Sequence, residues 1–108
     1  KVGGVLSLYY SQITQLPDNL EVSSSLYLQY TPITKLPNGL KVGGSLYLQN
    51  TPITNLPDNL EIKGNLYIRD TTIKELPKDL KVRGLIWVDF DKKQYFINKY
   101  PHYVKKIS

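Results

Sequence analysis

A pattern of 20 residues recurs from position 2 to position 90, and it restricts the possible folds more than any other feature of the chain. Each complete unit carries six apolar positions and one proline at constant spacing. In residues 41–60 these are Val42, Leu46, Leu48, Ile53, Leu56, Pro57 and Leu60. A period of this length is typical of a solenoid, in which each coil buries its apolar side only by stacking on its neighbours. We therefore predict a solenoid of about five coils.

Polar and apolar residues alternate in the first half of each unit, which is the pattern of strands with one buried face. In the third unit this alternation predicts that Val42, Leu46 and Leu48 point inward. Gly44 and its counterparts predict a tight corner, where several coils adopt positive φ. Pro57 excludes a regular helix from the second half, so we expect a turn or a single 3₁₀ turn there. The predicted fold class is therefore mainly β, with parallel strands and turn or 3₁₀ connections.

A hydroxyl group recurs at the exit of the predicted strand, at Ser11, Thr31, Thr51 and Thr71. One hydroxyl in each coil suggests a structural role, because the backbone amides of the corners need hydrogen-bond partners. We predict that these side chains bond to the backbone of the next coil, and we do not expect them to act as nucleophiles.

The segment LYLQYTPITKLPNGL and its copies resemble the leucine-rich repeat L-x-L-x-x-N-x-L-x-x-L-P, in its short bacterial form, with Thr in place of Asn. The resemblance covers about residues 2–90. The adjoining LxVxG segment resembles short repeat proteins of bacteria and their phages. The resemblance implies a right-handed coil whose parallel strands line a concave face, and a general role in binding proteins. Some bacterial relatives of this type carry a ubiquitin-ligase domain with a cysteine nucleophile, but this chain contains no cysteine.

The repeat ends near Phe90, so we divide the chain into a solenoid, residues 1–90, and a C-terminal helical cap, residues 91–108. Asp91 and Gln94 have the spacing of a capping box. Pro101 is expected to end this helix. The apolar residues expected to cover the last coil are Tyr95, Phe96, Tyr100, Tyr103, Val104 and Ile107. The chain begins in the middle of a unit, and we expect that a few natural residues precede it.

The outward positions of the predicted strands form two columns, and we expect a partner-binding surface there. The candidate residues are Tyr27, Tyr47, Tyr67, Trp87, Tyr9, Gln29, Gln49, Arg69 and Asp89. Tyrosine and tryptophan are enriched at interaction hot spots because they combine a large area, few torsions and a polar tip. The same rings could instead serve only to hold adjacent coils in register. The two interpretations are compatible, and a protein partner is the favoured one.

Charge is distributed unevenly and suggests a second kind of partner. Residues 1–62 carry three Lys against four Asp or Glu, whereas residues 63–108 carry eleven Lys or Arg against five Asp or Glu. Basic residues beside aromatic rings suit single-stranded nucleic acid, which is the alternative function. Its candidate contacts are Lys63, Arg69, Lys81, Arg83, Lys92 and Lys93. Carbohydrate stacking on the rings is a minor alternative.

Enzymatic activity is not expected from this composition. Only one histidine, His102, is present, so neither a Ser-His-Asp set nor a metal site is expected, and no cofactor motif occurs. Asp70 and Asp89 could approach each other, and an ion pair with Arg69 is the favoured explanation. No apolar stretch reaches the ~20 residues of a membrane span, so no membrane partner is expected. The absence of cysteine fits an intracellular, cytoplasmic location, or a host-cell cytoplasm for a phage protein or secreted effector.

Overall fold

The computed structural model describes residues 1–108, and it shows a solenoid of parallel coils that ends in one short helix. Two parallel sheets run along the solenoid, and a complete coil contributes one short strand to each of them. Every strand pairs with the strand 20 residues away. The strands are β1 (Leu6–Ser7), β2 (Glu21–Val22), β3 (Leu26–Tyr27), β4 (Lys41–Val42), β5 (Leu46–Tyr47), β6 (Glu61–Ile62), β7 (Leu66–Tyr67), β8 (Lys81–Val82) and β9 (Ile86–Trp87). The predicted mainly β solenoid with a C-terminal helix is confirmed.

Both sheets are parallel throughout and repeat the period of the sequence. The first contains five strands in the order β1-β3-β5-β7-β9, and the second contains four in the order β2-β4-β6-β8. The register joins equivalent residues, as in the pairs Leu26 with Leu46 and Tyr27 with Tyr47. Equivalent side chains therefore form continuous columns along the solenoid.

A single core of 25 buried residues runs along the inside of the coils and continues into the C-terminal segment. Leu46, Leu48 and Val42 are almost completely buried, as the alternation predicted. The counterparts in the first coil are only half-buried and pack against one side of the core. Phe96 and Ile107 belong to the same core, so the terminal segment closes the last coil with its own apolar side chains.

Close main-chain approach requires the corner glycines at positions 44, 64 and 84 but not Gly4, and the expected positive φ is wrong for all four. Gly39, in the proline-associated turn, is the one glycine with positive φ. At the corners the amide of Gly64 donates to the carbonyl of Gly44 at 2.8 Å, and a Cβ on Gly64 would lie 2.9 Å from that oxygen. A side chain would therefore meet the backbone of the preceding coil. Ser24 occurs where the corresponding contact, to the carbonyl of Gly4, is longer, at 3.2 Å.

The threonine hydroxyls do not bridge the coils, contrary to the prediction. Thr51 Oγ1 donates to the carbonyl of Leu48 in its own coil at 2.8 Å, because the chain reverses within these three residues. Thr31 and Thr71 make the equivalent bond. The side chains that accept amides of the next coil occur just before the strands of the first sheet instead, at Ser25, Ser45 and Asn65.

The C-terminal segment begins with a different structure from the one predicted for the cap. A 3₁₀ helix, Phe90–Lys92, precedes the α-helix α1, Lys93–Lys99, so Asp91 lies inside helical structure and the expected capping box is not formed. Gln94 bonds instead to Asn98, one turn further on.

After α1, Pro101 begins a second 3₁₀ helix, Pro101–Tyr103. Tyr103 and Ile107 are buried as expected, but Val104 is exposed because its position turns away from the last coil. The tail adds a feature that was not predicted. Ile107 pairs with Ile86 in parallel, and so it extends the five-stranded sheet.

Candidate functional site

Four aromatic residues form one column on the outer face of the five-stranded sheet. This aromatic strip consists of Tyr27, Tyr47, Tyr67 and Trp87, and the strand register aligns it. Each residue follows a fully buried Leu or Ile in its strand, so the pleat directs the ring away from the core. The four rings are half-buried, because each one covers part of the next. Ser7 continues the column in the first coil and is exposed.

The rings of the aromatic strip are stacked almost parallel to one another. Tyr27 and Tyr47 have ring centroids 4.5 Å apart and planes inclined by 10°, and Tyr47 and Tyr67 are 4.5 Å apart and inclined by 5°. Trp87 continues the stack at 6.2 Å and 4°. An aromatic pair contributes about 0.5–1.5 kcal/mol beyond its buried area, so the strip also stabilises coil register. The stacking fixes the positions of the exposed ring edges in the free protein.

A polar side chain holds the third ring of the strip, Tyr67, in place. Asn65 Nδ2 donates to the hydroxyl of Tyr67 at 3.2 Å, and Asn65 Oδ1 accepts the amide of Leu85 at 2.8 Å. The same asparagine therefore joins a ring of the strip to the backbone of the next coil.

Tyr47 lies in the middle of the strip, between the rings of Tyr27 and Tyr67. Burial raises its pKa, and the neighbouring Tyr67 and Tyr27 raise it further, because a second negative charge beside an ionised phenol is unfavourable. The phenol of Tyr47 therefore stays neutral at physiological pH, which favours an uncharged surface on the other side of a contact.

The second outward column lies beside the strip and contains Tyr9, Gln29, Gln49, Arg69 and Asp89. The Oε1 atoms of Gln29 and Gln49 are enclosed and accept no hydrogen bond. Trp87 Nε1 in the strip is likewise enclosed without an acceptor.

Arg69 and Asp89 make separate contacts, so the predicted ion pair is wrong. The guanidinium of Arg69 lies 5.2 Å from the centre of the Trp87 ring, and its Nε donates to the carbonyl of Val88 at 3.1 Å. Asp89 accepts the amide of Asp70 at 2.8 Å and forms an ion pair with Lys92 at 3.2 Å. Arg69 thus covers one end of the strip with a cation–π contact, while Asp89 belongs to the junction with the C-terminal segment.

Three exposed tyrosines form a cluster in the first two coils, and two of them were not predicted as site residues. Tyr9, Tyr10 and Tyr30 are 54%, 65% and 50% exposed. Tyr10 and Tyr30 stack at 4.6 Å with an angle of 5°, and Tyr9 meets Tyr10 edge to face. The backbones of Tyr10 and Tyr30 both have positive φ. This conformation is unfavourable for a bulky residue.

The sequence contains a signal for this cluster. The same column carries Asn50 and Asp70, also with positive φ, and these residue types tolerate that conformation far better than tyrosine. Tyrosine at positions 10 and 30 therefore costs backbone stability, which indicates that the exposed rings serve another purpose.

The six basic residues proposed for nucleic acid do not form one surface. Lys63, Lys81 and Arg83 line a single groove, whereas Arg69 lies against Trp87. Lys92 is held by its ion pair with Asp89 and by the carbonyl of Thr71, and Lys93 begins α1.

No group of three or more His, Asp or Glu side chains comes together in a way that could hold a metal ion. His102 packs against the ring of Tyr103 at 4.1 Å in the C-terminal segment. None of the helices has the length and apolar character needed to cross a membrane.

In comparisons with known proteins, the chain matches no protein-family model, no curated protein and no solved structure.

Proposed function

We propose that this protein is a non-enzymatic binding module whose partner is another protein. The proposal includes membership of the leucine-rich repeat proteins, on the likeness of the repeated segment. Its binding surface is the outer face of the five-stranded sheet, centred on the aromatic strip. Tyr9, Gln29, Gln49 and Arg69 form one flank, and Asp89 closes the C-terminal end. An intracellular location is part of the proposal because the chain contains no cysteine.

The observation that carries this proposal is the continuous stack of Tyr27, Tyr47, Tyr67 and Trp87 on the outer face of the five-stranded sheet. Rigid rings lose little conformational freedom on binding, so they favour tight contacts. The exposed cluster of Tyr9, Tyr10 and Tyr30 enlarges the apolar area at the N-terminal end.

Single-stranded nucleic acid is the alternative, and the arrangement of charges gives it less support. Single strands bind where stacked bases and backbone phosphates are contacted along one groove. Here the stacked rings lie on one face while Lys63, Lys81 and Arg83 line a groove formed by the second sheet. Arg69 is the cation in contact with the strip, and its guanidinium already lies on Trp87.

The test compares a strip variant with a matched control. Replacing Tyr47 and Tyr67 together with serine removes the middle of the stack, and replacing the exposed Tyr95 with serine removes a tyrosine outside it. Each protein is immobilised in equal folded amounts and exposed to an extract of the source cell, with and without nuclease. We expect the double variant alone to lose a nuclease-resistant protein partner. Unchanged capture per folded molecule would show that the strip is structural only.

A further inference from the structure

A positively charged groove lies on the outer side of the second sheet, next to the C-terminal segment. It has a volume of about 620 Å³, and its charged lining consists of Glu61, Lys63, Lys81, Arg83 and Lys106. The apolar residues that complete the lining are buried in the core of the coils, so the charged residues and their aliphatic chains form the exposed surface of the groove.

Three of the four cations in this groove have no acidic partner. Glu61 pairs with Lys81 at 3.6 Å, but no carboxylate lies within 4.0 Å of the charged groups of Lys63, Arg83 or Lys106. The Nζ atom of Lys106 reaches the carbonyl oxygen of Arg83 at 3.4 Å, which holds the lysine beside the arginine. The groove therefore concentrates uncompensated positive charge.

The neighbouring column shows that the chain does balance charges elsewhere on this sheet. Strand pairing places Glu21 opposite Lys41, Lys41 opposite Glu61, and Glu61 opposite Lys81, so that charges alternate in sign. Two positions further along the chain, just after these strands, the column consists of Gly3, Ser23, Gly43, Lys63 and Arg83.

Like charges on adjacent strands are destabilising, and the first three coils show that a small neutral residue fits at this position. The positive charges of Lys63 and Arg83 lie on adjacent coils, and a negatively charged ligand lying across them would offset their repulsion. An anion lying along the solenoid axis would meet successive cations at the coil spacing of about 4.8 Å.

The chemistry of the lining favours an acidic peptide over nucleic acid. No aromatic side chain lines the groove, so it has no surface on which bases could stack. Carboxylates need only charge-assisted hydrogen bonds from lysine and arginine, which Lys63, Arg83 and Lys106 can donate.

We propose that the groove of Lys63, Arg83 and Lys106 binds an acidic, extended segment of the protein partner. This inference rests on the proposed function, because it supplies the chemistry of part of that partner. The aromatic strip would hold an uncharged region of the same partner, and the groove would hold the acidic segment.

The experiment measures binding of labelled probes by fluorescence anisotropy at low and high salt. The probes are a short polyglutamate peptide, an uncharged Gly-Ser peptide and an oligothymidylate of equal length. The groove variant carries Lys63→Gln and Arg83→Gln. The control carries Lys35→Gln and Lys78→Gln, which remove the same charge from exposed positions outside the groove.

We expect polyglutamate to bind the parent protein in a salt-dependent manner and the groove variant about tenfold more weakly, with less than about a twofold change for the control. The groove variant should unfold at the same temperature as the parent or higher, since a repulsion is removed. Equal polyglutamate binding by both variants, or none by the parent, would overturn the proposal. Tighter binding of oligothymidylate, lost in the groove variant, would overturn it in favour of nucleic acid. Tyr47→Ser with Tyr67→Ser should leave polyglutamate binding intact, so failure of the strip and failure of the groove are distinguishable.

Discussion

Replacing Gly64 with alanine tests whether the coils approach as closely as main-chain contact allows. A Cβ at this position would lie 2.8 Å from the carbonyl carbon of Gly44 and 2.9 Å from its oxygen. Nonbonded carbon atoms prefer a separation of about 3.5–4.0 Å, so the two corners must move apart by roughly 0.7 Å or more. The hydrogen bond between the same two residues, now 2.8 Å, would stretch with them.

The expected cost of this substitution follows from three contributions. Overpacking costs about 1–3 kcal/mol, and weakening one backbone hydrogen bond costs up to about 1 kcal/mol. Restricting the unfolded chain returns about 0.4–1 kcal/mol. We therefore expect Gly64→Ala to lower the free energy of unfolding by about 1–3 kcal/mol.

Gly4 provides a matched control, because it occupies the same column and a Cβ there meets nothing within 4 Å. Gly4→Ala should be neutral or stabilise the protein by up to about 1 kcal/mol. Urea denaturation followed by far-ultraviolet circular dichroism and by the fluorescence of Trp87 measures both variants. If Gly64→Ala is as stable as Gly4→Ala, the account of coil spacing is wrong.

Three further substitutions test the strip, the C-terminal segment and the core. Because the pKa of Tyr47 is raised in the folded state, this phenol ionises first in the unfolded chain, and the free energy of unfolding falls as pH rises above about 10. Tyr47→Phe should reduce that fall. An equal fall in the free energy of unfolding of the parent and the variant would contradict this. Tyr103 donates its hydroxyl to the carbonyl of Pro77 at 2.8 Å. Tyr103→Phe should therefore lower the free energy of unfolding by about 1 kcal/mol in the same denaturation assay. The loss should exceed that of Tyr95→Phe at an exposed site. Equal losses for the two variants would contradict the role of the Tyr103 hydrogen bond. Leu46→Asp puts an unpaired charge at a fully buried site, where its cost is comparable with the whole stability of a domain, so calorimetry should show no cooperative unfolding; a cooperative transition like that of the parent would refute the inward assignment.

The repeat in the sequence was sufficient to predict the coil, the register and the aromatic strip. These features follow from local alternation and from a constant period, which brings equivalent residues such as Tyr27 and Tyr47 together. The proline-associated turns were also predictable, because proline restricts its own conformation and that of the residue before it.

The contacts that break the repeat were not predictable in this way. The pairing of Ile107 with Ile86 joins segments that share no sequence pattern. Arg69 contacts Trp87 and not a carboxylate, and that contact depends on side-chain positions that the repeat does not specify. The corner glycines illustrate a different limit. A regular spacing of glycine indicates that a side chain is excluded, but close approach and positive φ exclude it equally well.

The face bearing the aromatic strip is the surface that we propose contacts a protein partner. A photoreactive benzoylphenylalanine in place of Gln49, which lies in the column next to the strip, tests this contact directly. The protein is irradiated in an extract of its source cell. The same residue at the exposed Thr54, in the connection after the strand, is the control. We predict a discrete crosslinked product at position 49 that protease removes and nuclease does not, and no such product at position 54. A product removed by nuclease, or equal products at both positions, would contradict the claim.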